Sequence, residues 1–515
     1  MTQQKEVSRA RPQEPVMIIG AASVMSIDQR CRSIAAAGPD RPAIIGFDKR
    51  GSEDTVSWRE LDRGSAARAA LLGGQGQDPA GAVIAFDAPS CAETVFRILA
   101  CLRAGIPFLP LDPRAPPDER ARLLRAAAVG RQVWLWDGQT SPAAQAGPPA
   151  GQAGSRARPA RYLLASGSSS GRPRLIAHHG LAGYDSRRLP NPLLRATGWQ
   201  GGQRQLIVGP LHHAAPLTIC VEALLDGNTI LLQETFSPRA AMRILDDYAV
   251  EWMALTPTHM QWMLMAVEGA DPVLRSLRAI VHTAARCPGA VKRGWIDLVG
   301  PSRVFEFYAA TEDIGTTLVR GDEWLRRPGT VGRGFCTQIR ILDERGYELP
   351  VGSAGEVYLR RSGFAAAGAA SAGAARRTAD GFCTVGDHGW LDEERYLFLS
   401  PRREDMVVVG GANVYPAEVE NVLADHPEIA DSAVVGMPDD LVGARLIAFV
   451  VPRPAASLDA PTVLAFCAQR LSSHKVPSSV RFVDHVPRSE AGKLQRWRLQ
   501  DMAVAMATGG EERCT

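Results

Sequence analysis

The hydrophobic positions of this chain alternate between two periods. Pro42-Ala43-Ile44-Ile45-Gly46-Phe47 and Ala82-Val83-Ile84-Ala85-Phe86 are short, continuous apolar runs of the kind that form buried strands. Thr55 to Trp58 reads as a strand leading into a helix from Arg59 to Leu72, and Cys91 to Ala104 carries apolar residues at helical spacing. Gly105 to Asp112 predicts a strand that ends in a Pro-rich turn. Further strand-type runs lie at Gln205 to Pro210, Thr229 to Gln233, Trp252 to Leu255, Ala279 to His282 and Val304 to Tyr308. Strands alternating with helices predict an α/β fold with largely parallel sheets.

The pattern changes character near Arg402. Asp405 to Val409 leads into Gly410-Gly411-Ala412-Asn413. A helical run from Pro416 to His426 follows, with Pro at its first turn. Strands at Asp431 to Gly436, Arg445 to Pro452 and Val480 to Val483 surround a helix from Pro461 to Leu471. That amounts to an α/β unit of its own. We therefore expect a large N-terminal domain, 1–402, joined by a hinge to a small mobile C-terminal domain, 403–515. Two stretches, Gln139 to Arg161 and Gly363 to Ala375, are rich in Ala, Gly, Pro or Ser without periodicity and read as loops.

Composition narrows the picture by exclusion. The 515 residues carry 58 basic and 55 acidic side chains, a net charge of +3, which does not point to nucleic acid or a charged membrane surface as partner. No apolar run approaches membrane-spanning length. The nine cysteines are dispersed with no CxxC pair, as expected of reduced thiols in a cytoplasmic protein. Met1 to Pro15 is polar, lacks an apolar signal core and reads as a disordered lead.

The candidate chemistry begins at Ala165–Arg174, ASGSSSGRPR, a Ser/Gly-dense loop between the strand-like runs Tyr162-Leu163-Leu164 and Leu175-Ile176-Ala177. Backbone N–H groups and hydroxyls in such a loop can face an anion, with arginines to neutralise it; most such clusters are plain turns. Four more motifs follow in order. They are Pro210-Leu211-His212-His213-Ala214-Ala215-Pro216, Tyr308-Ala309-Ala310-Thr311-Glu312, Val385-Gly386-Asp387, and Pro487-Arg488-Ser489-Glu490-Ala491-Gly492-Lys493-Leu494.

Together the five motifs resemble those of the acyl-adenylate-forming superfamily, which includes acyl-CoA ligases, stand-alone adenylation domains and luciferases. The resemblance spans about Ser26 to Leu499. It implies that Ser166, Gly167, Ser168, Ser169, Ser170, Gly171 and Arg174 hold the β- and γ-phosphates of ATP, and that His213 sits beside the acyl pocket. It implies that Tyr308 stacks on adenine, with Ala285 in the adenine-side loop that runs from His282 to Pro288. Thr311 would contact the α-phosphate, and Glu312 would bind Mg2+, a role suited to a hard carboxylate ligand. Asp387 and Arg402 would hold the ribose, with Asp387 as the acceptor-only partner of its hydroxyls. Asp405 would be the hinge. Lys493 would stabilise charge in the adenylation transition state. Gly410, Gly411 and Ala412 would line the CoA pantetheine tunnel, where glycine permits close backbone approach. Arg445 and Lys475 are candidates for the CoA 3′-phosphate.

The text from Ala284 to Glu312, the ending Gly171-Arg172-Pro173-Arg174-Leu175-Ile176 and the run Val407 to Glu420 look most like bacterial bile-acid and long-chain acyl-CoA ligases. The expected cofactors are ATP or acyl-AMP, CoA and Mg2+. The expected substrate is a bulky apolar carboxylic acid, lined by Trp252, Met253, Met260 and Trp262; Met and aromatic residues at such spacing are otherwise ordinary core. The sequence departs from the family pattern in the phosphate loop. Ser168 stands for glycine, Ser170 for threonine, Arg174 for lysine and Ala165 for a hydroxyl residue. In addition, Ala309 replaces a glycine and Arg286 a proline. Several readings stay open: a complete two-step ligase; an enzyme limited to thioesterifying a preformed acyl-adenylate, supplied by a separate adenylating enzyme; an adenylation enzyme loading a separate carrier protein, since 501–515 contains no serine for a pantetheine arm; and a non-catalytic acyl-adenylate-binding homologue. Whether the chain forms a homo-oligomer is open as well.

Overall fold

The computed structural model describes residues 24–73, 82–129, 132–138, 143–144, 161–165, 175–178, 183–267, 274–310, 312–361, 376–400, 406–409, 412–439, 443–454, 456–489 and 492–507. It is an α/β protein with a large N-terminal domain and a small C-terminal one. The division expected at 402/403 lies outside the described residues.

The spine of the large domain is a run of parallel strands, side by side in the order Pro42–Phe47, Thr229–Gln233, Arg204–Ile207, Trp252–Leu255, Ala279–His282 and Val304–Glu306. Side chains alternate across it, as the two-residue strand period requires. Ile44, Ile230, Leu232, Trp252, Ala254 and Val281 pack into one core with Phe86, Leu99 and Phe108. Ile45, Leu231, Met253, Leu255 and Ile280 face the opposite core with Met260, Met263 and Trp295. Both faces are buried, which is why these strands read as continuous apolar runs. A second sheet holds Ala82–Asp87, Phe108–Leu111, Gln132–Leu135 and Tyr162–Ala165 as parallel neighbours. Its strand Leu175–His178 returns antiparallel to Tyr162–Ala165, so the Ser/Gly loop joins two adjacent strands as expected.

The expectation of largely parallel sheets holds only up to Glu306. Thr317–Arg320, Thr330–Gly334, Thr337–Leu342, Gly355–Arg361, His388–Leu391 and Leu397–Leu399 pair antiparallel and extend the large sheet. Among the described residues no helix of crossover length separates them.

The small domain has a three-stranded sheet. Ile429–Asp439 and Gly443–Pro452 form a hairpin, and Ser479–Phe482 pairs parallel to the second strand. One face, with Val434, Leu446, Ala448 and Val450, packs against helices Pro416–Ala424 and Ala460–Ala468. The other, with Ala433, Val435 and Phe449, packs against Leu499 and Ala503 of helix Arg496–Ala507. Among the described residues no helix is long and apolar enough to cross a membrane.

Three of the four apolar residues assigned to an acyl lining serve the core instead. Trp252, Met253 and Met260 are fully buried, and Trp252 crosses the ring of Trp199 edge-on at 5.0 Å. Trp262 packs beside Phe236 and His259. None of the four is among the described residues that line the large cavity. Strand alternation explains the outcome for the first two, because Trp252 and Met253 are committed to the two cores. Trp252 also donates from Nε1 to Thr197 Oγ1 at 3.2 Å. Trp252→Ala should therefore destabilise the chain by about 3–5 kcal/mol, the range for emptying a buried aromatic site. Denaturant unfolding reads this as a lower midpoint.

Candidate active site

The parallel strands deliver their carboxyl ends to one edge, the usual position for ligand sites in open α/β sheets. Leu255 leads to Thr256, His282 to the loop Thr283–Pro288, Glu306 to Tyr308, and Ile207 to the turn that ends in His213. The residues past these strand ends line one cavity of about 3680 Å³, which runs on between the large and small domains. His213, Ala285, Tyr308, Glu312, Asp387 and Lys493 all border it. The structure thus brings together six of the candidate residues, drawn from segments nearly 300 positions apart.

Tyr308 is held by the strand after it, whose Thr317 N–H donates to the Tyr308 carbonyl at 2.9 Å. Its hydroxyl donates to Asp387 Oδ2 at 2.7 Å. Asp387 is 8% exposed, and its backbone carbonyl accepts from Val357 N at 2.8 Å. A buried carboxylate needs such donors. Its two oxygens suit paired hydroxyls, so the group fits a ribose diol beside the Tyr308 ring. On the adenine side, Ala284 is held at φ 77°, a left-handed conformation rare for a residue with a Cβ, and Ala285 beyond it is exposed to the cavity. Next to Glu312, Asp313 is also at positive φ and pairs with Arg361, which fixes the turn. Glu312 is a hard carboxylate on the cavity wall, a donor suited to a magnesium ion carried by phosphates. Among the described residues there is no cluster of three or more metal-ligating side chains.

His213 caps helix Ala214–Leu225 with an extended backbone and makes no side-chain capping bond, so its ring remains available to the cavity. Burial pushes its pKa down to about 3, and the neighbouring His212 ring and the Lys493 ammonium push the same way. The imidazole is neutral at physiological pH, and it shares the cavity wall with Lys493.

Lys493 reaches this position through a tight turn of the small domain. Ser489 N donates to the Lys493 carbonyl and Gly492 N to the Ser489 carbonyl, both at 2.8 Å, while Lys493 N donates to Ser489 Oγ at 3.2 Å. Arg488 ties the turn's base to Asp431 through two hydrogen bonds. The turn rests on helix Pro257–Ala266 of the large domain, where Thr258 Oγ1 donates to the Gly492 carbonyl at 2.8 Å. Gly492 has φ 72°, and a Cβ there would meet the Thr258 Cβ at 2.6 Å. Both facts require glycine. A second contact runs from Gln261 Nε2 to the Ala430 carbonyl at 2.5 Å.

Other expected residues fall elsewhere. Ser166, Gly167, Ser168, Ser169, Ser170, Gly171, Arg174, Thr311, Arg402, Asp405, Gly410 and Gly411 lie outside the described residues. Ala412 is in the short strand Ala412–Val414, paired with Val407–Val409, and is not in the cavity wall. Lys475 is engaged with Glu418 at 2.5 Å. Three residues escaped the sequence reading. Thr258 and Arg361 carry no local signal. Glu222 does: it is the one charged residue in the apolar helix AAPLTICVEALL, and it lines the cavity.

Residues 31–156 and 162–367 match the family model described as AMP-binding enzyme, and residues 418–493 match that of the AMP-binding enzyme C-terminal domain. The chain belongs to the AMP-binding enzyme family. Within the family it is an enzyme of the AMP-forming acyl-CoA ligase type. It is 29% identical over 466 residues to a feruloyl-CoA synthase of Amycolatopsis sp, which covers 85% of this chain and 92% of that one. It is 34% identical over 297 residues to 3-[(3aS,4S,7aS)-7a-methyl-1,5-dioxo-octahydro-1H-inden-4-yl]propanoyl:CoA ligase of Rhodococcus jostii (strain RHA1). That match spans 56% of each chain, little more than half of the relative's length. The fold is shared with ATP-bound MatB from Rhodopseudomonas palustris, at TM-score 0.73 and 23% identity, over 94% of this chain and 100% of that one.

Two outcomes test this AMP-binding site. Gly492→Ala should lower the acid-dependent exchange of pyrophosphate into ATP by tenfold or more, through displacement of Lys493, with little change in melting temperature. His213 titrates near 6.5 when unfolded and near 3 when folded, so the unfolded chain binds more protons between those values and stability falls as pH drops through that window. His213→Asn should make the loss of stability between pH 6.5 and 4 shallower, as read by denaturant midpoints.

Proposed function

We propose that this enzyme converts a bulky hydrophobic carboxylic acid to its CoA thioester through an acyl-adenylate. The observation that carries the reading is the placement of Lys493. The Thr258–Gly492 contact holds it at the cavity that neutral His213 shares with Tyr308, Asp387 and Glu312. A fixed ammonium there offsets charge that builds on the α-phosphate and acyl carboxylate as the adenylate forms. Neutral His213 adds no second positive charge against Lys493 and borders the acyl group. Asp387 and Tyr308 hold the nucleoside, with Ala285 on its adenine side and Arg402 on the ribose. Thr311 and the loop Ser166–Gly171 with Arg174 meet the phosphates, and Glu312 binds Mg2+ when it is present, which neutralises the phosphate oxygens. In the second half-reaction the small domain, 403–515, turns about Asp405 relative to 1–402. The segment Gly410-Gly411-Ala412 then approaches the CoA arm, and the CoA thiol displaces AMP.

A second reading rests on the phosphate loop. With Ser168 where the family pattern has glycine and Arg174 where it has lysine, the pyrophosphate end of ATP would be poorly held. The enzyme would then thioesterify an acyl-adenylate made by another enzyme. The Lys493 placement favours the complete two-step reaction, because an adenylation lysine has no use in thioesterification alone.

Two parallel assays decide between them. One supplies acid, ATP and Mg2+ and measures pyrophosphate; the other supplies synthetic acyl-adenylate and CoA and measures thioester. We expect turnover in both. Thioester without pyrophosphate would establish the restricted reading, and the double variant Ser168→Gly, Arg174→Lys should then gain adenylation. Pyrophosphate release without CoA ester, with transfer to a carrier-protein thiol, would overturn CoA as acceptor.

A further inference from the structure

We infer that Glu222 recognises an oxygen function on the acyl group, a ring ketone or hydroxyl, at about 13 Å from the reacting carboxyl. The inference rests on the reading that this cavity receives the acyl chain.

Helix Ala214–Leu225 starts at His213, which shares the cavity with Lys493, and continues from there along the cavity wall. At a rise of about 1.5 Å per residue, Glu222 lies about 13 Å along the helix from His213. Thr218 and Glu222 are one helical turn apart and share a face, and Leu225 continues the stripe. The helix therefore acts as a ruler with the reacting end at its N-terminus and a polar mark near its C-terminus.

The mark is chemically unusual. Glu222 is 6% exposed in an otherwise apolar helix. Its Oε2 accepts from the Asn191 N–H at 2.5 Å, and no cation among the described residues forms an ion pair with it. The other oxygen has no hydrogen-bond partner among the described residues, although the side chain borders the cavity. Burial pushes its pKa up to about 7, so near neutrality the carboxyl can either donate to a ketone or accept from a hydroxyl. Tyr162 stands on the same wall, its hydroxyl 3.3 Å from Thr218 Oγ1. The proximity of Glu222 raises the phenol's pKa further, beyond the effect of burial. A wholly hydrocarbon ligand against this wall would leave a buried carboxyl with hydrogen-bonding capacity unmet, which costs affinity. A ligand with an oxygen at that depth would meet it. The fitting substrate class is a fused-ring or comparably long acid, apolar overall, with one distal oxygen.

The test uses two unreactive acyl-sulfamoyl adenosines built on one fused-ring acid, the first with a ring ketone about 13 Å from the acyl carbon and the second with the hydrocarbon ring. Their dissociation constants are measured by calorimetry with the full chain, without ATP or CoA, so the outcome does not depend on which half-reaction the enzyme performs. The unsubstituted protein should bind the ketone about tenfold or more tightly than the hydrocarbon. Glu222→Leu should abolish that preference by weakening the ketone alone, and Glu222→Gln, whose amide can still donate, should keep it. Equal binding of the two ligands by the unsubstituted protein overturns the inference without any variant. So does equal weakening of both in Glu222→Leu, since Glu222 would then serve only to hold the Asn191 amide. If neither ligand binds while AMP alone does, the acyl-site reading itself fails, and the inference falls with it.

Discussion

Much of this site depends on a contact between one hydroxyl and one carbonyl. Thr258 Oγ1 meets the Gly492 carbonyl, and the turn that presents Lys493 closes over that point with a left-handed glycine. The contact is small and local, worth no more than an ordinary hydrogen bond of about 1 kcal/mol. Its leverage is geometric. It joins a helix that starts at a strand's carboxyl end to the last loop of the small domain, and so sets where the ammonium stands relative to His213, Tyr308 and Asp387. Under the proposed second half-reaction, in which the small domain turns, a weak docking contact would release it where a large apolar interface would hold the two halves in one pose. Here the small domain carries its own two cores and touches the docking helix through Thr258 and Gln261.

Charge is arranged around that contact with little redundancy. Burial pushes both His212 and His213 down, and His213 is lowered further by the His212 ring and the Lys493 ammonium, so Lys493 shares its cavity with a neutral His213. Asp387 is kept as an acceptor and satisfied by the Tyr308 hydroxyl. Behind the adenine-side loop, Lys292 and Glu306 pair in full burial, and Lys292 also faces the Trp324 ring. That pair anchors helix Gly289–Val299 to the strand leading to Tyr308, so the loop at Ala284 can hold its strained backbone between two fixed elements.

The contrast between the two uses of Met and aromatic residues is instructive. Trp252, Met253 and Met260 stood out as an apolar lining, yet strand alternation and helix packing place all three in the core. One stretch of the cavity wall is built instead by helix Ala214–Leu225, with mostly small and aliphatic residues and one carboxylate. Periodicity tells which residues share a face, but which of two buried faces meets a ligand depends on what packs against each.

The amino-acid sequence alone determined the α/β class, the position of most strands and helices before Glu306, a separate small C-terminal α/β unit, and the order of the five motifs. Strand and helix periods and turn chemistry are local, so those elements are written in neighbouring residues. The antiparallel extension from Thr317 to Leu399 was not legible, because pairing direction follows from connection lengths and from which edge is open. Tertiary structure alone decided that Tyr308 bonds Asp387 across 79 positions, that Thr258 holds Gly492 across 234, and that Glu222 faces a cavity and not the core. These contacts depend on distances between segments that only packing brings together, and no local pattern encodes them.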